Sequence, residues 1–163
     1  MINHKLKYKN ILFVHPGSKN KPSYIQNALN NLKIKFDVFF CSEFTDYYSR
    51  KENNFKKKFL EKILLPSDSY NANSNLINKV KNNKYNLIIF QKNNIIRPST
   101  YKFIKNQNTK ILAFYDDNFL KIQNLSLYLI LSVNYFDYFI TIYRDSLFNY
   151  YSSRFINNKC KLY

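Results

Sequence analysis

The segment ILAFYDDNF, Ile111 to Phe119, ends an apolar run on two adjacent aspartates, Asp116 and Asp117. They stand out in a chain of 163 residues that has 10 acidic side chains against 26 lysines and arginines. Neighbouring carboxylates can hold a divalent cation, divide acid and base roles, or accept hydrogen bonds from sugar hydroxyls or a basic group. A hard cation needs more oxygen ligands than two adjacent residues deliver, and an acid–base pair needs surroundings that separate the two pKa values. Against all three stands a structural alternative, in which one aspartate caps the following turn or helix and the other is solvated.

Few other groups suggest chemistry. His15 follows the apolar run ILFV and reads as a rim or loop histidine rather than a base, while Lys92 and Arg144 read as surface or turn charges. Cys41 and Cys160 are far apart and lack metal-ligand spacing, so they are expected to be reduced thiols. No GxSxG, HExxH or Cys/His pairing is present. A receiver-type acidic pair would follow the first strand, where HPGS stands instead. The chain has one glycine, Gly17, which excludes a glycine-rich phosphate loop.

The elements that must position these residues follow from hydrophobic patterning. Near-continuous apolar runs at Ile11–His15, Phe36–Cys41, Asn86–Gln91, Lys110–Tyr115 and from Tyr138 read as buried strands. Between the first two, Ile25, Ala28, Leu29 and Leu32 recur at helical spacing behind Pro22 and Ser23. Phe55, Phe59, Leu60, Ile63 and Leu64 predict one further helix, and Leu76, Ile77 and Val80 another. Pro98 opens a helix, a helix is expected from about Leu125 to Tyr135, and Leu147, Phe148, Tyr151 and Phe155 predict a last one before KCKLY, a possible sixth strand. This alternation predicts a Rossmann-like, open, doubly wound α/β domain over residues 1–163, with a mostly parallel sheet of five or six strands and helices on both faces. In such sheets ligands bind beyond the carboxyl ends of the strands, which makes His15, Gly17, Ser18, Ser42, Glu43, Lys92, Asn93, Asp116, Asp117, Tyr143 and Arg144 the positions to watch.

A formal net charge of +16 invites a polyanionic partner, either nucleic acid or an anionic membrane surface. AT-rich coding, which enriches Lys, Asn, Ile, Phe and Tyr together, would give the same composition without a partner. Lys56, Lys57, Lys58 and Lys62 beside Phe55 and Phe59 could form a lipid-binding helix face, or a solvated face over inward-packed rings. The apolar run ILFV is too short for a secretion signal, and LSLYLILSVNYF is too short to span a bilayer, which takes roughly twenty residues. A cytoplasmic protein is expected.

Four segments in order resemble the N-terminal half of a CgeB-like glycosyltransferase of the GT-B type: ILFVHPGS with its helix, YNLIIFQKNNIIRPSTYKFIK, TKILAFYDDNF and FDYFITIYRDSLFNYY followed by NKCKLY. Asn93 stands where that family tends to glycine, Asn118 where proline is common, and Tyr85-Asn86 where tyrosine-aspartate is usual. The resemblance implies an acceptor-side domain with no cofactor of its own and a saccharide or glycoconjugate acceptor. A nucleotide-sugar donor would sit on a C-terminal domain or subunit beyond this chain. It implies a fragment, split subunit or remnant with no transfer activity by itself, and a cleft lined by Gly17, Ser18, Lys92, Asp116 and Asp117. Metal independence in that family disfavours a cation on the aspartates.

Overall fold

The computed structural model describes residues 8–17, 23–43, 68, 71–92, 94–116, 126–141 and 161–162. The helices expected around Phe55–Leu64 and Leu147–Phe155, with Lys56, Lys57, Lys58 and Lys62, lie outside the described residues.

Strand β1 (Ile11–His15) and strand β3 (Leu87–Gln91) are buried at all five positions. Burial on both faces is what an unbroken apolar run demands, because neither set of alternate side chains can be left in water. Strand β2 (Phe36–Phe40) is less enclosed, β4 (Lys110–Tyr115) alternates, and β5 (Tyr138–Thr141) and β6 (Lys161–Leu162) complete six strands in the order β2-β1-β3-β4-β5-β6. All neighbouring pairs are parallel, with Val14 opposite Phe39 and Phe90, and Gln91 opposite Phe114. The sheet is therefore the expected Rossmann-like α/β type. Cys41, expected at the end of β2, instead begins a 3-10 turn, Cys41–Glu43.

Helix α1 (Tyr24–Asn31) starts where Ser23 Oγ accepts the Gln26 N–H at 3.1 Å. It covers one face of the sheet, where Leu29 joins Ile11, Phe13, Leu87 and Ile89, with Ile25, Ile34 and Val38 packed around them. Leu32, expected on that buried face, is 69% exposed. The helix stops at Asn31, Lys33 turns left-handed at φ 55°, and Ile34 N–H bonds back to the Leu29 carbonyl at 3.0 Å. This Schellman closure brings Ile34 to the core in place of Leu32.

The other face carries α2 (Ala72–Asn82), α3 (Pro98–Asn106) and α4 (Leu127–Ser132), the last continued by a 3-10 turn, Val133–Tyr135. Leu76, Val80, Tyr101, Ile104 and Leu129 pack there on Leu12, Val14, Ile88, Phe90, Ile111 and Ala113. Tyr101 lies 4.7 Å from Phe90 and 5.2 Å from Phe136 by ring centroids. A fully buried side chain such as Leu76 or Ile104 contributes about 1.5–3 kcal/mol.

One buried amide ties two of these helices together. Asn73 Nδ2 donates to Asp68 Oδ2 at 3.0 Å and to the Ile95 carbonyl at 3.1 Å. Its Oδ1 accepts from Arg97 N–H at 2.9 Å and Thr100 Oγ1 at 2.8 Å. Asp68 also caps α2, taking the N–H groups of Ala72 and Asn73. Asn71, the residue that would ordinarily do so, is left-handed and makes no side-chain cap.

Candidate functional site

Because every strand is parallel, all carboxyl ends meet on one edge of the sheet, and the strand order reverses between β1 and β3. The crevice at such a reversal is where open α/β sheets bind ligands. His15 ends β1, Gln91 ends β3 one residue past the Val14–Phe90 pair, and Asp116 follows β4.

His15 is 5% exposed, with its ring 5.6 Å from Phe13 and 5.5 Å from Phe40. Its Nδ1 accepts the Gly17 N–H at 2.7 Å, which places the proton of the neutral ring on Nε2. Burial holds the imidazole below its ordinary pKa. Nε2 is buried and has no hydrogen-bond partner among the described residues. The one glycine is required here for close approach rather than for a left-handed backbone. A Cβ on Gly17 would stand 2.8 Å from His15 Cε1.

Lys92 continues β3 in a left-handed conformation at φ 41°, and its N–H donates to the Phe114 carbonyl at 3.0 Å, fastening the turn to β4. Asp116 is held from two sides. Its Oδ2 accepts from Tyr24 Oη at 2.9 Å and, more weakly, from Gln91 Nε2 at 3.4 Å, while Oδ1 is buried without a hydrogen-bond partner among the described residues. Tyr24 is the first residue of α1 and is 50% exposed, with its ring edge-on to Phe114 at 5.8 Å. Burial and the Asp116 hydrogen bond push the Tyr24 phenol upward, so it stays protonated and donating.

Of the residues singled out from sequence, Gly17, Lys92 and Asp116 stand on this rim, while Ser18, Asn93, Asp117, Tyr143 and Arg144 lie outside the described residues. Glu43 is exposed in the turn after β2. Asp116 bonds to side chains of α1 and β3 rather than capping a helix. Tyr24 and Gln91 are not among the residues that sequence singles out, because neither lies just past a strand. Gln91 is the last residue of its strand and Tyr24 belongs to a helix start. A glutamine closing an otherwise apolar strand was the available signal.

Among the described residues, the rim combines a carboxylate oxygen and an imidazole N–H, both buried without partners, with a half-exposed aromatic ring. Among the described residues no three His, Cys, Asp or Glu side chains gather as a metal centre would need. Cys41 is buried, and burial raises its thiol pKa, which keeps the sulfur protonated and a poor nucleophile. Among the described residues no helix is long and apolar enough to cross a membrane. Comparisons of the chain with protein families, with curated proteins and with solved structures found no match.

Proposed function

We propose that the carboxyl rim is the acceptor-side wall of a glycosyltransferase cleft and binds a saccharide. The observation that carries this reading is Asp116, fixed at the rim through Oδ2 by Tyr24 and Gln91 while its Oδ1, buried in this arrangement, has no hydrogen-bond partner among the described residues. A carboxylate oriented in this way accepts a hydrogen bond from a hydroxyl, and a bond to a charged group is worth about 1.5–3 kcal/mol. The exposed part of the Tyr24 ring offers an apolar surface to a sugar face. Lys92 and Gly17 shape the turns on either side. Ser18 and Asp117 are assigned to the same wall on the resemblance to the CgeB-like family. The donor nucleotide sugar would be held by a second domain or subunit, so this chain by itself binds acceptor without transferring sugar.

The test is a glycan array probed with the 163-residue protein, followed by calorimetry on the best saccharide. Binding that weakens at least tenfold in Asp116→Ala, about the loss of one charged hydrogen bond, is the expected result. Absence of any saccharide binding by the wild type overturns the reading. Sugar transfer from nucleotide donors by this chain by itself overturns the half-enzyme assignment.

A further inference from the structure

The hydrogen bond between His15 and Gly17 can be made in one protonation state only. Nδ1 accepts the Gly17 N–H at 2.7 Å across two residues, a local side-chain-to-backbone bond of the kind that fixes turns. A neutral imidazole has one acceptor nitrogen and uses it here. An imidazolium carries N–H groups at both nitrogens and accepts nothing. Protonation would therefore set two N–H donors against each other at 2.7 Å, and ring and backbone must part.

The packing leaves little room for both to stay in place. The ring is 5% exposed, edge-on to Phe13 at 5.6 Å and tilted against Phe40 at 5.5 Å, and a Cβ on Gly17 would stand 2.8 Å from its Cε1. Nε2 is buried as well, and no described residue offers it an acceptor, so the cation gains no bond in place of the one it loses. The backbone at Pro16 and Gly17 is half-buried and lies beyond the last paired position of β1, where His15 stands opposite Phe40.

The surroundings leave His15 to the pH of the solution. Phe13 of β1 and Phe40 of β2 are apolar, Cys41 beyond β2 is a buried thiol held protonated, and Asp116 after β4 is bonded to Tyr24 and Gln91. No acidic or basic side chain among the described residues enters its titration. Burial is the larger influence and holds the imidazole below its ordinary value of about 6.5. With the folded value depressed, the contribution of the neutral ring to stability is complete above about pH 6.5 and is lost as pH falls through the folded value.

We propose that His15 is an acid-sensitive latch on the carboxyl rim: its neutral ring fastens the backbone at Gly17, and its protonation releases that backbone and reshapes the crevice between β1 and β3. A ligand that fits the fastened form opposes protonation by the same free energy with which acid weakens the ligand.

The experiment is NMR of the full chain carrying nitrogen-15 glycine and ring carbon-13 histidine, titrated from about pH 7.5 to about pH 4.5, a range that brackets histidine ionisation. Gly17 is the one glycine, so its amide gives a single resonance, and His4→Gln removes the other of the two histidines. The expected result is a His15 midpoint below about 6.5, with the Gly17 amide moving along the same curve while circular dichroism stays that of the folded chain. His15→Asn puts an uncharged acceptor in the place of Nδ1, and its Gly17 resonance should hold still over the whole range. The proposal is overturned by a His15 ring still neutral at about pH 4.5, by a Gly17 amide that is static or has a different midpoint, by unfolding that accompanies the change, or by a folded His15→Asn variant that keeps the wild-type Gly17 curve. If that variant does not fold, the two wild-type curves decide the matter by themselves. No ligand is needed, so the outcome is separate from that of saccharide binding at the rim.

Discussion

Replacing Asn73 by Ala should destabilise the protein more than its appearance in a polar, asparagine-rich segment suggests. Asn73 is 4% exposed and uses both amide protons and its carbonyl oxygen, in bonds to Asp68, Ile95, Arg97 and Thr100. At a net contribution of about 1 kcal/mol per hydrogen bond, the side chain is worth about 4 kcal/mol. Thr100, 1% exposed, would be left with a buried hydroxyl and no acceptor from Asn73. For a chain of this size the loss corresponds to a fall in Tm of about 8–16 °C. Thr100→Val removes one of the four bonds with little change of shape and should cost about 1 kcal/mol. Asn73→Asp keeps the acceptor oxygen but sets a second carboxylate against Asp68. It should be at least as damaging as Ala at neutral pH, and its deficit relative to wild type should narrow as pH falls toward 4. Urea unfolding followed by circular dichroism measures all three. A loss below about 1 kcal/mol for Asn73→Ala would refute the view that this amide joins α2 to α3.

Three other outcomes are expected. Lys33→Gly should stabilise the chain by about 0.5–1 kcal/mol in urea unfolding, because the left-handed position after α1 suits glycine; an unchanged midpoint counts against the Schellman closure. Gly17→Ala should displace the His15 ring, costing about 1–3 kcal/mol and shifting the His15 NMR resonances, since the new methyl would meet Cε1; an unmoved ring removes the close-approach explanation. Burial opposes ionisation of Asp137, but the bonds from Lys105, Lys110 and the Ile111 N–H outweigh it and hold its pKa below the ordinary value. Its stabilisation is therefore complete above about pH 4 and is lost as pH falls through the depressed folded value, so Asp137→Asn should flatten the acid limb of a stability–pH curve.

Strand positions were legible because a parallel sheet buries both faces, which suits apolar runs as short and unbroken as ILFVH and LIIFQ. Helix starts at Ser23 and Pro98 were legible from capping and proline chemistry. The order of the strands was not, since periodicity reports burial and says nothing about which strand lies beside which. Leu32 was misplaced because helical spacing continues past the point where a left-handed residue ends the helix. Asn73 was invisible because a buried amide is justified by partners 22 to 27 residues away. In the site, the rim residues Gly17, Lys92 and Asp116 could be found by asking where strands end. The hold of Tyr24 and Gln91 on Asp116 depends on contacts between elements, which no local pattern encodes.

The near absence of glycine has a consequence for the unfolded chain. Lys33, Asn71, Lys92 and Asn108 take left-handed conformations that glycine would adopt without strain. Each raises the energy of the native state, by about 1–2 kcal/mol for a residue such as lysine. The same substitutions narrow the ensemble from which folding begins, because a residue with a Cβ has fewer backbone states to lose than glycine. Native strain and denatured-state stiffness thus offset one another at these turns, and the stability of the fold depends in part on conformations the chain is prevented from visiting when unfolded.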